Sequence, residues 1–305
     1  MSLASPHLWI LVAFAAAAFQ TLRFMLQKVL VTATLSPTGA TFARFFYSAP
    51  LVSLLLVVYL QGTGQVLPSL DARFWVYALS GGLAQVVATV CVVSLFKLRN
   101  FAVGVTLMKT EVILSVVVGL VLLREGVSWA AFGAIGLGLV GVLMLSTPPD
   151  VTGWGGRAIW NRGIGLGLAS GVLFAVSAVC YRGASLELAS TDPVLRAGVT
   201  LAAVTGSQMI GMALWLVWCD AAQIGAVWGA RRVAGWLGML SMAGSFCWFL
   251  AFTLQTAAYV KAVGQVELVM SLLASVFFFK ERSSLRELGG MAVLCLSILM
   301  LVLLL

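Results

Sequence analysis

Three ionisable residues stand where ionisable residues are expensive. Lys109, Glu111 and Glu267 fall well inside apolar stretches long enough to cross a lipid bilayer. An ionised side chain at that depth costs about 2.5–3.5 kcal/mol on insertion scales, so such residues face a cavity or a partner. Glu111 shares a helical stripe with Gly104, Met108 and Ser115, and Glu267 shares one with Gly264 and Ser271. The serine four residues after each acid lies on the same helix face, so two equivalent polar walls are predicted. Either carboxylate can carry a proton or hold a substrate ammonium. The alternative is a polar contact that locks two helices. Residues two apart on a helix point about 200° apart. Lys109 is therefore expected to pair across the molecule with Glu267, which leaves Glu111 without a fixed partner.

A second stripe, Gln20, Arg23, Phe24 and Gln27, has spacings of three and four. Arg23 there can hold a carboxylate or phosphate, or it can snorkel to the headgroups with Lys28. Arg44 lies about 12 Å into the next apolar run at 1.5 Å per residue, and a structural role is expected for it. Trp248 is deep enough to stack on a substrate, although core packing explains it better. Glu125 and Glu281 precede predicted helix starts at Ser128 and Ser284, where a carboxylate favours the positive helix end. Ser284-Leu285-Arg286-Glu287 reads as a capping box. All these glutamates, with Arg44, are expected to be structural.

Other chemistry finds no support. The single histidine, His7, has no second ligand candidate, and the five cysteines are widely spaced within or at the ends of apolar runs. No metal or cofactor is expected. Gly136-Leu137-Gly138-Leu139-Val140-Gly141 has the G-x-G-x-x-G spelling, but no strand precedes it, so close helix packing is the better reading. Ser94-Leu95-Phe96-Lys97 lacks the companion motifs of a hydrolase. No nucleophile–base pair is apparent, and the chain is not expected to be an enzyme.

The elements that must position these residues are membrane helices. Of the 305 residues, 62% are hydrophobic and 9% charged, against roughly 25% charged in a soluble domain. Runs such as Leu51–Leu60 and Val112–Leu123 are apolar on every face, which excludes the period-two alternation of a barrel. Ten spans are predicted, at 8–27, 36–60, 74–96, 102–123, 128–146, 163–183, 194–218, 233–255, 262–279 and 286–304. Each is close to the roughly 20 residues that cross hydrocarbon. The net charge of +8 comes from residues set singly or in pairs at the ends of apolar runs. Snorkelling explains that pattern, not nucleic-acid binding. Trp75, Trp129, Trp160, Trp218 and Trp236 fall near span ends as interfacial anchors. The first span lacks the positively charged start of a cleaved signal and is read as retained.

The stretch 147–162, with Pro148, Pro149, Gly153, Gly155 and Gly156, reads as a linker between residues 1–146 and 163–305. Shifting the second half back by 156 positions sets Pro193 on Pro37, Gly238 on Gly82 and Cys247 on Cys91. The same shift sets Glu267 on Glu111, Ser271 on Ser115, Glu281 on Glu125 and Gly289 on Gly133. Acids are scarce in this chain, so two glutamates matching at one offset carry weight. Five spans per half invert the second copy relative to the first. Inverted repeats place a binding site at their interface near mid-membrane. The fold predicted is all-α and integral to the membrane, with ten transmembrane helices in two inverted five-helix repeats.

Leu122-Leu123-Arg124-Glu125, with Ser128 and Gly133, resembles the end of the repeat in EamA-type transporters of the drug/metabolite transporter superfamily. Phe278-Phe279-Lys280-Glu281, with Ser284 and Gly289, resembles its second copy. Arg44 stands where the second helix of that family often carries an arginine, whereas Thr200 stands opposite it in the second half. The resemblance implies export or exchange of a solute through a central cavity lined by spans one, three, four, six, eight and nine. It does not imply one substrate. Acids and bases near the presumed cavity favour small zwitterionic or amphipathic metabolites, moved across an inner or plasma membrane with protons as a candidate coupling ion. A lipid or lipid-linked metabolite flippase is the alternative. Only Arg73, Arg124, Arg182, Arg196 and Lys261 fall on the side of the membrane poorer in Lys and Arg. The positive-inside rule then places both termini outside, whereas the family resemblance implies termini in the cytoplasm.

Overall fold

The computed structural model describes residues 7–98, 108–146, 162–280 and 285–304, in which every regular element is helical. The first half holds α1 (Leu8–Ala33), α2 (Pro37–Thr63), α3 (Ala72–Leu98), α4 (Glu111–Leu123) and α5 (Trp129–Ser146), with a 3-10 turn at Met108–Thr110 ahead of α4. The second half holds α6 (Arg162–Leu186), α7 (Pro193–Cys219), a short α8 (Ala222–Gly229), α9 (Arg231–Leu254), α10 (Ala257–Val263), α11 (Val266–Phe277) and α12 (Leu285–Leu303). Among the described residues, seven stretches are long and apolar enough to span a bilayer: most or all of α1, α2, α3, α6, α7 and α9, and Ala257–Ala274 across α10 and α11. Helices α5 and α12 supply shorter apolar stretches. The linker up to Asn161, Glu281, Ser284 and the first part of the fourth predicted span lie outside the described residues.

Two helices open on equivalent caps. Ser36 Oγ accepts from the Gly39 N–H at 3.0 Å, with Pro37 beginning α2. Asp192 accepts from the Val194 N–H at 2.9 Å, with Pro193 beginning α7. A proline at the first helical position gives up a donor that has no intrahelical partner anyway. The ninth span, expected as one helix over 262–279, is instead two helices that part at Gly264 and Gln265. There Gln265, Glu267 and Leu268 donate to carbonyls three residues back, Ala262, Gly264 and Gln265, which tightens the backbone locally. Trp248 lies against Gly264 so closely that a Cβ would collide with its ring. In the first half the regular helix starts only at Glu111, after the 3-10 turn.

Packing in lipid rests on close backbone approach and interhelical hydrogen bonds, because the tails are as apolar as the side chains. Helix α1 lies along α9, α3 along α6 and α5 along α12. Glycine makes these approaches possible: a Cβ at Gly81 would sit 2.8 Å from Cys180 Cβ, and one at Gly141 2.8 Å from the Gly290 carbonyl. Gly141 thus does the packing expected of the glycine-rich run in which it lies. The buried apolar side chains form two clusters. One gathers Trp9, Ala16, Val52, Phe74, Val199 and Leu250; the other gathers Phe24, Leu30, Phe45, Phe96, Leu216 and Leu237. Along α1, α2, α3 and α9 these fall at opposite ends of each helix. What lies between them is polar.

Candidate functional site

Between the two apolar cores Gln20, Arg23, Arg44, Thr89, Lys109, Glu111, Ser245, Lys261 and Glu267 are buried or half-buried. Lys109 Nζ donates to Glu267 Oε2 at 2.5 Å, the pairing that the charge inventory predicts. It also reaches Glu111 Oε1 at 3.4 Å. The helical-wheel expectation that the two near neighbours cannot meet is corrected here. Lys109 sits in the 3-10 turn, not in the helix that Glu111 begins, so α-helical spacing does not govern them.

A second correction concerns Glu111, which is not without a partner. Lys261 Nζ donates to Glu111 Oε2 at 3.0 Å. Its place just before the predicted span 262–279 sets Lys261 among the charges that flank the spans. It is instead buried in α10, its ammonium 4.8 Å from the centre of the Trp248 ring. Glu267, Lys109, Glu111 and Lys261 therefore form one alternating chain of four charges whose formal sum is zero. Both acids lie in the first turn of their helix, Glu111 in α4 and Glu267 in α11. The positive end of a helix dipole favours negative charge there. Close by, a Cβ at Gly171 of α6 would collide with Thr110 Oγ1 and lie 3.0 Å from the Met108 carbonyl, so only glycine admits the 3-10 turn.

The other candidates divide. Gln20 Nε2 donates to Glu267 Oε2 at 2.7 Å, and Trp248 Nε1 donates to Gln20 Oε1 at 2.8 Å. Trp248 therefore props a glutamine that holds the acid, while stacking on Phe252 with ring centres 5.7 Å apart. Ser115 Oγ turns back to the Glu111 carbonyl at 2.6 Å, so its hydroxyl is satisfied within its own helix. Its equivalent Ser271 has a buried Oγ with no hydrogen-bond partner, as has Glu267 Oε1. Arg23 does not snorkel. It is 4% exposed, with its guanidinium 4.3 Å from the Phe24 ring centre. Arg44 donates to Thr89 Oγ1 at 3.3 Å and to Ser245 Oγ at 3.2 Å.

Glu125 does not serve the start of α5. Ser128 does, its Oγ accepting from the Ala131 N–H at 3.2 Å. Both Glu125 oxygens instead accept from Arg182 Nε at 2.7 Å, and Arg182 Nη1 donates to the Phe252 and Gln255 carbonyls at 2.7 and 2.8 Å. This clasp joins the ends of α4, α6 and α9. Beside it, Tyr59 and Gln65 donate to Asp192 Oδ2 at 2.5 and 2.9 Å. Burial opposes the Asp192 charge, but these bonds and those from the Val194 and Leu195 N–H groups outweigh it and hold the carboxyl below its ordinary value. Lys261 and Arg182 were the residues that sequence reading missed. Nothing in hydropathy distinguishes a lysine or arginine near a span end that turns inward from one that turns to the headgroups.

Among proteins of known structure, one crystal structure superposes with a TM-score of 0.65 over 95% of this chain and 99% of its own, at 18% identity, which makes the fold common to both. No curated protein matches the sequence. Residues 7–147 match the EamA-like transporter family. The chain is a multi-pass membrane protein whose first half is similar to the EamA-like transporter family.

Proposed function

We propose that the chain is a secondary transporter, an exporter or exchanger, of small zwitterionic or amphipathic metabolites across an inner or plasma membrane. The observation that carries this reading is the buried polar layer where carboxylates, ammoniums and guanidiniums converge between two apolar cores. A charged layer has no role in a protein that only needs to sit in lipid. Helices broken at mid-depth, with polar groups at the break, are how transporters build a solute site. Proton coupling runs, in this reading, through Glu111 and Glu267. Both are held by lysines, so either can take a proton only when its ion pair opens.

The two-repeat organisation, 1–146 and 163–305 about the linker, is part of the proposal. The offset of 156 carries the Ser36 cap onto the Asp192 cap. It also carries Arg124 onto Lys280, the non-glycine residues with left-handed backbones at φ 56° and 54°. It exchanges the α1–α9 contact with the α3–α6 contact. Arg44 bridges Thr89 and Ser245, which the offset also makes equivalent. The orientation with termini outside still follows from the basic residues, since the buried Arg23 and Lys261 leave the count from opposite sides.

A flippase is the second reading. A lateral groove of about 530 Å³ between α3 and α7 is walled by Leu79, Leu83, Val87 and Trp215 and includes Gln208. Gln208 in turn donates to Gln85 Oε1 at 3.0 Å and to the Tyr181 hydroxyl at 3.3 Å, in the interior. Purified protein in liposomes, offered a panel of labelled metabolites and labelled lipids with and without a proton gradient, separates the two. Saturable uptake of a water-soluble metabolite supports the transporter. Lipid scrambling without solute uptake sinks it.

A further inference from the structure

The buried charges of the polar layer do not balance. Four cations, Arg23, Arg44, Lys109 and Lys261, are buried with only two acids, Glu111 and Glu267, among the described residues. No change of rotamer alters that surplus of two positive charges. The lysines are matched by the acids, at 2.5 and 3.0 Å. The guanidiniums are not, since neither has a carboxylate within ion-pair distance among the described residues. Arg23 Nη1 and Arg44 Nε are buried donors with no acceptor at all. An arginine cannot relieve this by losing its proton. An uncompensated buried charge is strongly unfavourable, so a side chain kept in that condition is waiting for an anion.

The two guanidiniums belong to one place. Arg44 is bonded to Thr89 of α3. Arg23 lies over Phe24, whose ring meets that of Phe96 edge-on with centres 5.6 Å apart. Thr89 and Phe96 are two turns apart on the same face of α3, and the two guanidiniums are within electrostatic range of each other. Glu267, the acid within the same range of Arg23, is already engaged by Lys109 and Gln20. Resting on the transporter reading above, we infer that Arg23 and Arg44 form an oxyanion site, so that the solute carries a carboxylate or phosphate and net negative charge. Planar guanidiniums present paired N–H donors that match the oxygens of either group. Thr89 and Ser245 hold Arg44 in place, while Arg23 rests only on an aromatic face and is the one that can close on a ligand. The unpartnered Glu267 Oε1 and Ser271 Oγ are acceptors that an ammonium on the same solute would satisfy. Neutral zwitterions are thus poorer ligands than acidic ones.

The test uses the full chain in lipid nanodiscs and reads thermal stabilisation by inorganic phosphate, succinate, alanine, alaninamide and choline at millimolar concentration. Phosphate, succinate or both should raise the melting temperature, alanine less, and alaninamide and choline not at all. Which of the first two acts tells phosphate from carboxylate. Arg23→Gln should weaken the effective anion by at least about ten-fold, the scale of a lost charge-assisted bond, and should melt no lower than wild type without ligand. Arg44→Lys, which keeps the charge but loses the fork, should weaken it less. No stabilisation by either anion overturns the inference. So does equal stabilisation by alaninamide, or an Arg23→Gln protein that melts lower without ligand, since that marks a structural arginine. Failure of the transport reading would appear separately, as anion binding without uptake into liposomes.

Discussion

Charge is buried twice at the centre of this protein, on opposite terms. Lys109, Glu111, Lys261 and Glu267 saturate one another across α4, α10, α11 and the 3-10 turn. Arg23 and Arg44, on α1 and α2, lean on aromatic rings and hydroxyls and meet no acid among the described residues. Mutual saturation is what a protein does with charges that hold helices together. Unsaturated charge, kept from water and from partners, is what a protein does with charges meant for something that comes and goes. In the reading proposed above, the difference leaves the quartet to architecture and gating, and the arginines to the solute.

The contrast can be broken most violently at its tightest pair. Removing one member of a buried pair strands the other and costs about 3–5 kcal/mol, whereas removing both is often nearly neutral. Lys109→Met alone and Glu267→Gln alone should each lower the melting temperature of the purified protein sharply. The double variant should recover most of the loss, because Glu111 keeps Lys261. Singles and double melting alike would mean that the pair is not coupled. Glu111→Gln follows, at about 1.5–3 kcal/mol, the scale of a hydrogen bond to a charged group. It should destabilise by leaving Lys261 unpaired, and Lys261→Met should suppress that loss in the same melting assay.

Farther from the centre the effects shrink. Arg182→Gln opens the clasp on Glu125 and two carbonyls, groups that water partly reaches, and about 1–2 kcal/mol of stability should go with it. Asp192→Asn should cost about 0.5–1 kcal/mol. The sign of its pH dependence is fixed by the lowered carboxyl pKa. The contribution is present above the unfolded value near 3.8 and is lost as pH falls through the lower folded value. Melting curves of wild type and Asp192→Asn should therefore converge in acid and separate at neutral pH.

The sequence carried the quartet's acids and only part of their surroundings. Glu111 and Glu267 were visible because acids are rare in the chain and these two match at one offset. The same scarcity pointed Lys109 at Glu267. The break within Ala257–Ala274 was not visible, since a break at membrane depth leaves no mark on hydropathy when its backbone groups are satisfied inside the protein. Gly264 was the one local sign. Lys261 was lost for a related reason, because a lysine beside a predicted span end is ordinarily a headgroup anchor. Only the closeness of α10 to α4 turns it inward. For Arg23 both readings were open from the sequence, and its burial against Phe24 removes the snorkelling one.

The division of labour between the two sets of charge is tested most directly by solute uptake into liposomes holding wild-type or Arg23→Gln protein at equal density. The panel is one of labelled acidic and zwitterionic metabolites. Wild-type protein should show saturable uptake of at least one acidic solute, and Arg23→Gln protein should lose at least about ten-fold of it while melting no lower. Equal uptake by the two proteins, or wild-type uptake no greater than that of protein-free liposomes, would contradict the account.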